Sequence, residues 1–204
     1  MRAYSKDKNL ISIRRAHIAR CAAHVFVKKN YNDTTIRDIS ECCNMSVGAL
    51  YRYIGSKEDI LHLVIEHGMQ AEWQFCMRTF KRVESMSSIE AIKLAISEFY
   101  KSIDDIQDLI LFSFREMVNI KPEARQGILD IDRKIANEFE KLLMGGCKKG
   151  SFKIDDIGMV AQTIIFTGQM WALRRWALKK ICTLDKYIEY NTNIILKLIL
   201  VSEK

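Results

Sequence analysis

The sequence predicts an all-α protein in which a small basic N-terminal module precedes a larger neutral helical domain. Its 204 residues include one proline and nine glycines, and so few backbone breakers favour long helices over a strand-and-turn architecture. With 49% hydrophobic and 28% charged residues, the chain has the composition of a folded globular protein. Hydrophobic residues recur at helical spacing along most of its length, which supports the same fold class.

The net charge of +7 lies at one end of the chain. Residues 1–57 contain eleven Lys and Arg against four Asp and Glu, a difference of +7, whereas residues 58–204 contain 21 of each sign. A charge excess segregated in this way predicts a polyanionic partner for the N-terminal module. An ordinary solvated basic surface is the alternative that charge alone leaves open.

The first predicted helix covers about residues 9–28 and has an apolar face opposite a basic one. The apolar face consists of residues spaced by three, four and seven, namely Ile11, Ile18, Ala22, Val25 and Phe26. Further helices are predicted at 36–43, 47–53, 57–83, 88–103, 106–119, 122–144, 157–180 and 185–201. Capping boxes mark three of the starts, pairing Thr35 with Asp38, Ser56 with Asp59 and Ser87 with Glu90. The helix predicted at 122–144 is expected to end before Gly145, Gly146 and Gly150, which lie in the connection that follows.

Two short helices around a tight turn are predicted in residues 34–60. Thr35 caps the first helix, Asn44 occupies a turn position that requires the left-handed conformation, and Ser46 caps the second. Leu50 and Ile54 share the inner side of the second helix. The opposite side carries Val47, Gly48, Tyr51 and Arg52.

With the first helix as a buttress, this arrangement is a helix-turn-helix whose second helix fits the major groove of DNA. The boundary between a DNA-binding domain (residues 1–56) and a larger helical domain (residues 57–204) is expected near Ser56.

Fifteen positions at fixed spacing carry a family pattern. They are Ile18-x3-Ala22-x3-Phe26, Tyr31-x2-Thr34-Thr35, Ile39, Ser46-x-Gly48-x-Leu50-Tyr51-x-Tyr53 and Ser56-Lys57-Glu58. Together these residues resemble the DNA-binding domain of the tetracycline-repressor (TetR) family, over about residues 13–63. Asn30 and Asn44 stand where the family usually has glycine, and Asn retains access to the left-handed conformation. Beyond residue 63 only the all-helical architecture of a ligand-binding and dimerisation domain agrees.

The resemblance implies a role for each matching position. Phosphate contacts are implied for Thr35, Tyr51, Tyr53 and Lys57. The positions facing the groove are Ser46, Val47, Gly48 and Arg52. Arg52 is expected to bond guanine bidentately, and Val47 to pack on a thymine methyl group. Alternatives remain, since either tyrosine can simply pack against the fourth helix and Arg52 can be a solvated surface charge.

The sequence predicts neither an enzyme nor a cofactor. It contains no Ser/His/Asp set, Gly-rich phosphate loop or nucleophile elbow. The four histidines lack the i,i+4 spacing of a metal pair, and the six cysteines form no C-x-x-C pair, so no metal site is predicted. Because the N-terminus is polar where a secretory signal is apolar, reduced thiols in a cytoplasmic protein are expected. The uncharged run at residues 157–173 is interpreted as a buried interface helix and not as a membrane span.

The last two predicted helices are expected to form the interface of a homodimer. On the penultimate helix, small and branched residues recur at three and four, namely Gly158, Ala161, Ile165, Gly168 and Ala172. The final helix offers Ile188, Ile195 and Leu198. The resemblance implies that both helices pair with their copies in a four-helix bundle. Packing within one subunit is the alternative.

An effector pocket is expected among aromatic and thioether side chains of the larger domain. The residues assigned to it are Trp73, Phe112, Phe166, Met170 and Trp171, and plain core packing is the alternative for each. The shortage of polar groups on these faces suggests an apolar or amphipathic small molecule. The segment from Trp171 to Trp176, which contains Arg174 and Arg175, is similar to that of acyl-CoA-responsive branches of the family.

The resulting hypothesis is a ligand-responsive transcriptional regulator, a repressor that leaves a near-palindromic double-stranded operator when its effector binds. Two rivals stand beside it. A dimeric DNA-binding regulator without a ligand uses the larger domain only for assembly. A carrier of apolar ligands without DNA function leaves the basic N-terminal module unexplained.

Overall fold

A computed structural model describes residues 8–200, and its secondary structure confirms the all-α prediction. The helices are α1 (Lys8–Lys29), α2 (Ile36–Cys42), α3 (Val47–Leu50), α4 (Lys57–Val83), α5 (Ser88–Asp105), α6 (Gln107–Glu116), α7 (Pro122–Lys148), α8 (Ile157–Leu173), α9 (Arg175–Leu178) and α10 (Leu184–Ile199), with a 3-10 helix at Met117–Asn119 between α6 and α7. Helix α4 has the bounds that the sequence predicts.

The sequence predicts the starts of the helices better than their ends. The helix expected at 47–53 stops at Leu50 and continues as a turn, and the one expected at 157–180 breaks after Leu173 into α8 and α9. The expectation that Gly145 and Gly146 end a helix is wrong, because α7 runs through both to Lys148. Gly150, at φ +70°, follows that helix instead. Such a dihedral suits glycine because it lacks a Cβ atom.

Side-chain caps fix several helix starts. Thr35 forms the full capping box, in which its side chain accepts from the Asp38 amide while the Asp38 carboxylate accepts from the Thr35 amide. The box predicted at Ser56 is partial. Ser56 Oγ accepts from the Asp59 amide at 3.1 Å, but the Asp59 carboxylate accepts from the Gly55 amide.

The chain divides into two compact units. Unit 1 contains the residues up to Gln70 together with Phe112–Ile128, and unit 2 contains Ala71–Leu111 and the residues from Leu129 onwards. This division by compactness puts the first half of α4 in unit 1. The boundary near Ser56 that the sequence suggests for the functional modules stays a prediction.

The core of unit 1 joins α1, α2, α3 and the start of α4. Its fully buried side chains include Ile18, Phe26, Ile39, Leu50, Ile60 and Leu61. The Phe26 ring stacks on Phe112, with centroids 5.4 Å apart, and meets Tyr31 edge-on at 5.4 Å. These contacts pack α1 against Tyr31 in the turn that follows it and against Phe112 of α6.

The core of unit 2 is formed chiefly by α5, α7, α8 and α10. Aromatic rings dominate it, with Phe99 against Phe139 at 5.5 Å and Trp171 against Tyr187 at 5.0 Å between centroids. The Tyr187 hydroxyl donates to the Thr167 carbonyl at 2.7 Å and so joins α10 to α8.

The end of α10 is fastened to the loop before α8 by an isolated antiparallel bridge between Phe152 and Leu200. The Lys153 amide donates to the Ile199 carbonyl at 2.8 Å. Phe152 is buried against α7, where a Cβ built on Gly146 would come within 2.0 Å of its ring. Glycine at that position therefore makes room for the ring.

Helix α8 is the uncharged segment that the sequence analysis tested as a membrane span. Within residues 8–200, no helix is both long enough and apolar enough to cross a bilayer.

Candidate nucleic-acid interface and effector region

The turn between α2 and α3 has the left-handed residue that the sequence predicts. Asn44 adopts φ 52°, and Asn30, at the end of α1, adopts φ 67°. The Asn44 amide donates to the Glu41 carbonyl at 3.0 Å, and the Met45 amide donates to Ser40 at 2.9 Å. Asn tolerates this region better than other residues with a Cβ. The chain thus turns sharply into α3.

Helix α3 presents one side to its own core and the other to solvent. Leu50 and Ile54 are buried, as predicted. Ser46, Val47, Gly48 and Arg52 are exposed. The four residues implied to face the groove are therefore accessible together, and their contacts with bases stay a prediction.

Two features of this exposed side suit an approaching ligand. A Cβ built on Gly48 meets no atom within 4 Å, so the packing of the subunit itself does not require glycine there. Ser46 Oγ accepts from the Ala49 amide at 3.1 Å, which leaves the hydroxyl proton available for donation.

The residues implied to contact phosphate differ in their exposure and in the hydrogen bonds that they already make within the chain. The single hydroxyl proton of Thr35 goes to Asp38 Oδ2 at 2.8 Å, so it is committed to the cap. Lys57 Nζ donates to the Asn32 carbonyl at 3.1 Å and lies 4.5 Å from the Tyr31 ring centroid. Two ammonium protons remain beyond that bond. Tyr51 is exposed and Tyr53 is half-buried.

Tyr53 also lines a small cavity of unit 1, of about 170 Å³, together with Arg15, Glu58, Asp59 and Lys121. Burial and the neighbouring Glu58 raise the pKa of Tyr31, behind this surface, to about 12, so its hydroxyl stays protonated. It donates to Glu58 at 3.4 Å.

A cluster that the sequence analysis missed lies between α1 and α2. The possible ligand atoms of His17, Cys21 and Cys43 all lie within 4.8 Å of one another. Cys21 Sγ is 3.8 Å from His17 Nε2, and that nitrogen is 3.1 Å from the Cys43 carbonyl oxygen. The His17-x3-Cys21 spacing was the available signal, because it puts both side chains on one helix face. The third member is contributed by the fold alone.

Burial disfavours the charged forms of the Cys42 and Cys43 thiols. Burial, followed by hydrogen bonding and charge at Cys21, raises the pKa of Cys43 to about 12. Burial and Cys21 also raise the pKa of the adjacent Cys42. All six cysteines lie among the described residues, and each is a free thiol outside any disulfide.

In unit 2, the small-residue stripe predicted for the dimer interface lies on the inner side of α8. Ala161, Ile165 and Ala172 are buried within one subunit. A Cβ on Gly168 would lie 2.9 Å from the Phe99 ring and 3.0 Å from the Tyr100 ring. Of the stripe, Gly158 alone is partly accessible. The stripe therefore packs α8 against α5, which corrects its assignment to a subunit contact.

The same correction applies to two residues of α10. Ile188 and Ile195 are buried within the subunit, whereas Leu198 is 60% exposed. The outward sides of both helices carry large apolar residues instead, namely Met159 and Phe166 on α8 and Tyr190, Ile194 and Leu198 on α10, all between 45% and 67% exposed. A helix contact sought on these two helices must use these outer sides.

Two of the predicted pocket residues lie outside the interior of unit 2. Phe112 belongs to unit 1, where it stacks on Phe26. Phe166 is 57% exposed on the outer side of α8. Trp73 and Met170 are partly buried against the core of unit 2. The assignment of Phe112 and Phe166 is thus corrected, because one is core and the other is surface.

Trp171 lies at an open pocket of about 490 Å³ in unit 2. Its Nε1 donates to Asp104 Oδ1 at 2.8 Å, and Lys179 Nζ lies 3.6 Å from the same oxygen. The remaining lining comes from the segment between α9 and α10 and the start of α10, namely Lys180, Ile181, Cys182, Thr183, Leu184 and Lys186. An indole at the base and three lysines around it combine an apolar surface with positive charge.

A pair of acids on α4 and α7 is the second unusual feature of unit 2. Glu72 is 7% exposed, and burial, followed by the charge of Asp132, raises its pKa to about 7. Burial likewise raises the pKa of Asp132. Neither acid has a salt-bridge partner among the described residues. A buried acid without a cation favours its protonated form.

Two family profiles match this chain. Residues 18–64 match "Bacterial regulatory proteins, tetR family", and residues 85–176 match "Tetracyclin repressor-like, C-terminal domain". The first match covers the second half of α1, α2, α3 and the start of α4. The second runs from the connection between α4 and α5 to the start of α9.

Comparison with individual proteins points the same way. The chain is 26% identical over 186 residues to the HTH-type transcriptional regulator HbdR of Aromatoleum sp. (strain CIB), which covers 90% of this chain and 79% of that protein. A crystal structure of a bacterial regulatory protein in the tetR family from Rhodococcus RHA1 has a TM-score of 0.79 at 21% identity, covering 93% of this chain and 98% of the other. The structure of AibR in complex with isovaleryl coenzyme A and operator DNA has a TM-score of 0.71 at 17% identity, covering 89% and 97%.

Proposed function

Because the chain belongs to the tetracycline-repressor family of transcriptional regulators, we propose that it is a homodimeric repressor that leaves a near-palindromic operator when an amphipathic effector binds unit 2. The observation that carries the DNA-binding part is the exposed side of α3, opposite the buried Leu50 and Ile54. It lies in the segment with the basic excess of the chain, where a polyanion is attracted.

On this proposal, α3 enters the major groove and its exposed side reads the bases. Arg52 offers the planar fork that bonds guanine, Val47 offers methyl groups to thymine, and Ser46 retains a proton to donate. Lys57, Tyr51 and Tyr53 flank the reading side and contact the phosphates. Thr35 contributes through its cap, which positions α2, since its hydroxyl proton is held by Asp38.

The division between reading and seating residues is testable by operator selection. Arg52→Ala should relax preference at one position in each half-site, at a cost of about 1–3 kcal/mol for the favoured base. Lys57→Ala should weaken binding to all sequences alike and reduce the salt slope by about one. Arg37→Ala is the matched control, because Arg37 is an exposed arginine of α2 paired with Glu41. An unaltered preference profile for Arg52→Ala rejects its role as a base reader.

A dimer is required by groove geometry, because two reading helices must meet successive major grooves about 34 Å apart. The outer sides of α8 and α10 support the assembly, since Phe166, Ile194 and Leu198 leave apolar surface exposed there. Covering such surface is favourable, at roughly 25 cal/mol per Å². A two-fold contact then uses the same side on each subunit and imposes a palindromic site.

For the effector we infer an acyl thioester of coenzyme A, bound at the open pocket beside Trp171. Its volume, about 490 Å³, lies within the range of small-molecule sites. Lys179, Lys180 and Lys186 supply charge for phosphates, while Trp171 supplies apolar surface. Isovaleryl coenzyme A is bound by AibR, whose fold is similar.

The effector assignment is tested with isovaleryl coenzyme A, coenzyme A and free isovalerate as probes. The thioester should raise the melting temperature more than either fragment, and it should weaken the operator complex by about 5- to 150-fold. Lys180→Ala and Lys186→Ala should reduce the stabilisation, whereas Lys149→Ala, an exposed lysine outside the pocket, should not. A thioester that stabilises the protein but leaves operator affinity unchanged at saturation contradicts release by this effector.

A further inference from the structure

We propose that His17, Cys21 and Cys43 bind a thiophilic d10 metal ion, zinc(II) or copper(I), that joins α1 to the residue after α2. Their possible ligand atoms lie within 4.8 Å of one another. One imidazole and two thiols form a donor set that suits both ions and suits magnesium or calcium poorly. Neither the reading side of α3 nor the pocket of unit 2 uses these residues.

The distance between the His17 and Cys21 ligand atoms is close to the one that a bound ion imposes. With Zn–S near 2.3 Å and Zn–N near 2.0 Å, a tetrahedral ion holds a sulfur and a nitrogen ligand about 3.6 Å apart. Cys21 Sγ lies 3.8 Å from His17 Nε2 and 4.0 Å from Nδ1. Since His17 and Cys21 are one turn apart on the same helix, small rotations of their side chains close the remaining gap.

The imidazole is already oriented in the way that metal ligands usually are. A ligating histidine commonly donates its second ring N–H to a carbonyl or carboxylate, which fixes the tautomer. His17 Nε2 lies 3.1 Å from the Cys43 carbonyl oxygen. When Nε2 carries the proton and donates it there, Nδ1 is left as the unprotonated ring nitrogen, 4.0 Å from Cys21 Sγ.

On binding, the metal ion replaces two thiol protons. The ion gains bonds to His17 Nδ1 and to the two sulfurs, and both thiol S–H bonds break, releasing two protons to solvent. With zinc(II) the two thiolates neutralise the ion, and a water molecule completes the tetrahedron. With copper(I) the three protein ligands suffice. No electron is transferred in either case.

The placement gives the ion a consequence for the reading helix. Cys43 follows α2 directly and precedes the turn residue Asn44, from which the chain enters α3. Cross-linking Cys43 to α1 restrains the end of α2, so an occupied site should change the affinity of the helix-turn-helix for DNA. The site itself does not rest on the proposed effector or dimer.

The test titrates the reduced full-length protein without oxygen, with zinc(II) and separately copper(I), against a chromophoric chelator. One ion per chain should bind, with the release of about two protons. Cobalt(II), used as a zinc probe, should give a thiolate charge-transfer band. Cys21→Ser and His17→Gln should each lower the affinity at least about tenfold. Cys42→Ser is the matched control, because Cys42 is the neighbouring thiol outside the set.

Each outcome decides the proposal. Binding of either ion with this pattern of variants supports it and identifies the ion. Absence of binding for both ions, wild-type affinity in Cys21→Ser, or an equal loss in Cys42→Ser overturns it. Cys43 is buried, so Cys43→Ala is used only if circular dichroism shows a native helix content. His17→Gln, at a partly exposed residue, keeps the test decisive otherwise.

Discussion

The exposed side of α3 in unit 1 and the exposed sides of α8 and α10 in unit 2 differ in chemistry. Around α3 the accessible groups are a hydroxyl, a glycine backbone, the Arg52 guanidinium and the side chains of Val47 and Tyr51. On α8 and α10 they are large apolar side chains such as Phe166 and Leu198. A polar basic surface can stay hydrated until a polyanion arrives, whereas an apolar surface gains by being covered. The difference indicates that one chain carries two exposed surfaces suited to partners of different kinds.

The two units also treat buried or bonded acids differently. In unit 1, the Lys29 ammonium and the Thr35 cap hold the pKa of Asp38 well below its usual range, so its charged form is favoured in the folded state. In unit 2, burial raises the pKa of Glu72 to about 7, so its charged form is disfavoured. As the pH rises, ionisation of Asp38 therefore increases the stability of the folded protein, whereas ionisation of Glu72 decreases it.

The largest effect is expected from placing a charge on the apolar side of unit 2. Phe166→Glu or Leu198→Glu should raise the dimer dissociation constant by about 100-fold or more, because two-fold symmetry buries each new charge twice. Sedimentation velocity across a range of concentrations measures the shift. Val118→Glu, at an exposed valine of unit 1, should leave the dimer intact. If both substitutions on α8 and α10 also leave it intact, these sides are not the dimer contact.

The next effect concerns the buried acid. The folded protein retains the Glu72 proton up to about pH 7, whereas the unfolded chain loses it near pH 4.5. Stability should therefore fall as the pH rises between those values, and the loss should be complete above pH 7. Glu72→Gln should remove this dependence and add up to about 3 kcal/mol at pH 8, with no gain at pH 4.

Urea unfolding of both proteins from pH 4 to pH 8 measures the Glu72 effect. The matched control is Glu84→Gln, at an exposed glutamate of unit 2. Its profile of stability against pH should run parallel to that of the wild-type protein. A parallel profile for Glu72→Gln as well indicates that Glu72 is ionised in the folded state.

A smaller effect separates the closely packed part of the α8 stripe from its accessible end at Gly158. Gly168→Ala should destabilise the subunit by about 1–3 kcal/mol, because its Cβ would press on the Phe99 and Tyr100 rings. Gly158→Ala, whose Cβ meets side-chain oxygens at 3.4 Å and 3.8 Å, should change stability little. Thermal unfolding compares the two, with the dimer mass unchanged for both. Dissociation of Gly168→Ala without loss of subunit stability would restore the stripe to the dimer contact.

The smallest effect is expected at the turn before α3. Asn44 has φ 52°, which costs other residues with a Cβ about 1–2 kcal/mol. Asn44→Ala should lose about that amount, while Asn44→Gly should stay close to wild type. Chemical unfolding provides the measurement. Equal stability of the alanine and glycine variants contradicts a conformational requirement at this position.

The sequence predicts which side of α3 is exposed, because that helix is short and amphipathic. With only Leu50 and Ile54 apolar on one side, a single orientation buries them. Helix α8 is different, since its seventeen residues carry no charge and both of its sides are apolar. Periodicity alone therefore leaves open which side faces α5, and small residues such as Gly168 suit a close helix contact inside a subunit as well as between subunits.

The position of the predicted pocket residue Phe112 and the cluster of His17, Cys21 and Cys43 could not be predicted from the sequence, for another reason. Phe112 lies in the helix predicted at 106–119 of the larger domain, yet it packs on Phe26, 86 positions earlier in the chain. Cys43 meets His17 across 26 positions. Contacts between residues so far apart are made by the packing of helices, and a pattern read along one helix contains no information about them.

The bridge between Phe152 and Leu200 also sets how far the chain can be shortened. Removing Leu200 deletes one half of the bridge, and removing Ile199 as well deletes the acceptor for the Lys153 amide. Helix ends unwind readily when nothing ties them down, so the last turn of α10, which presents Leu198, would fray. Trimming from the C-terminus should therefore stop before Leu200, and slow hydrogen exchange at the Lys153 amide reports that the end of the helix is still held.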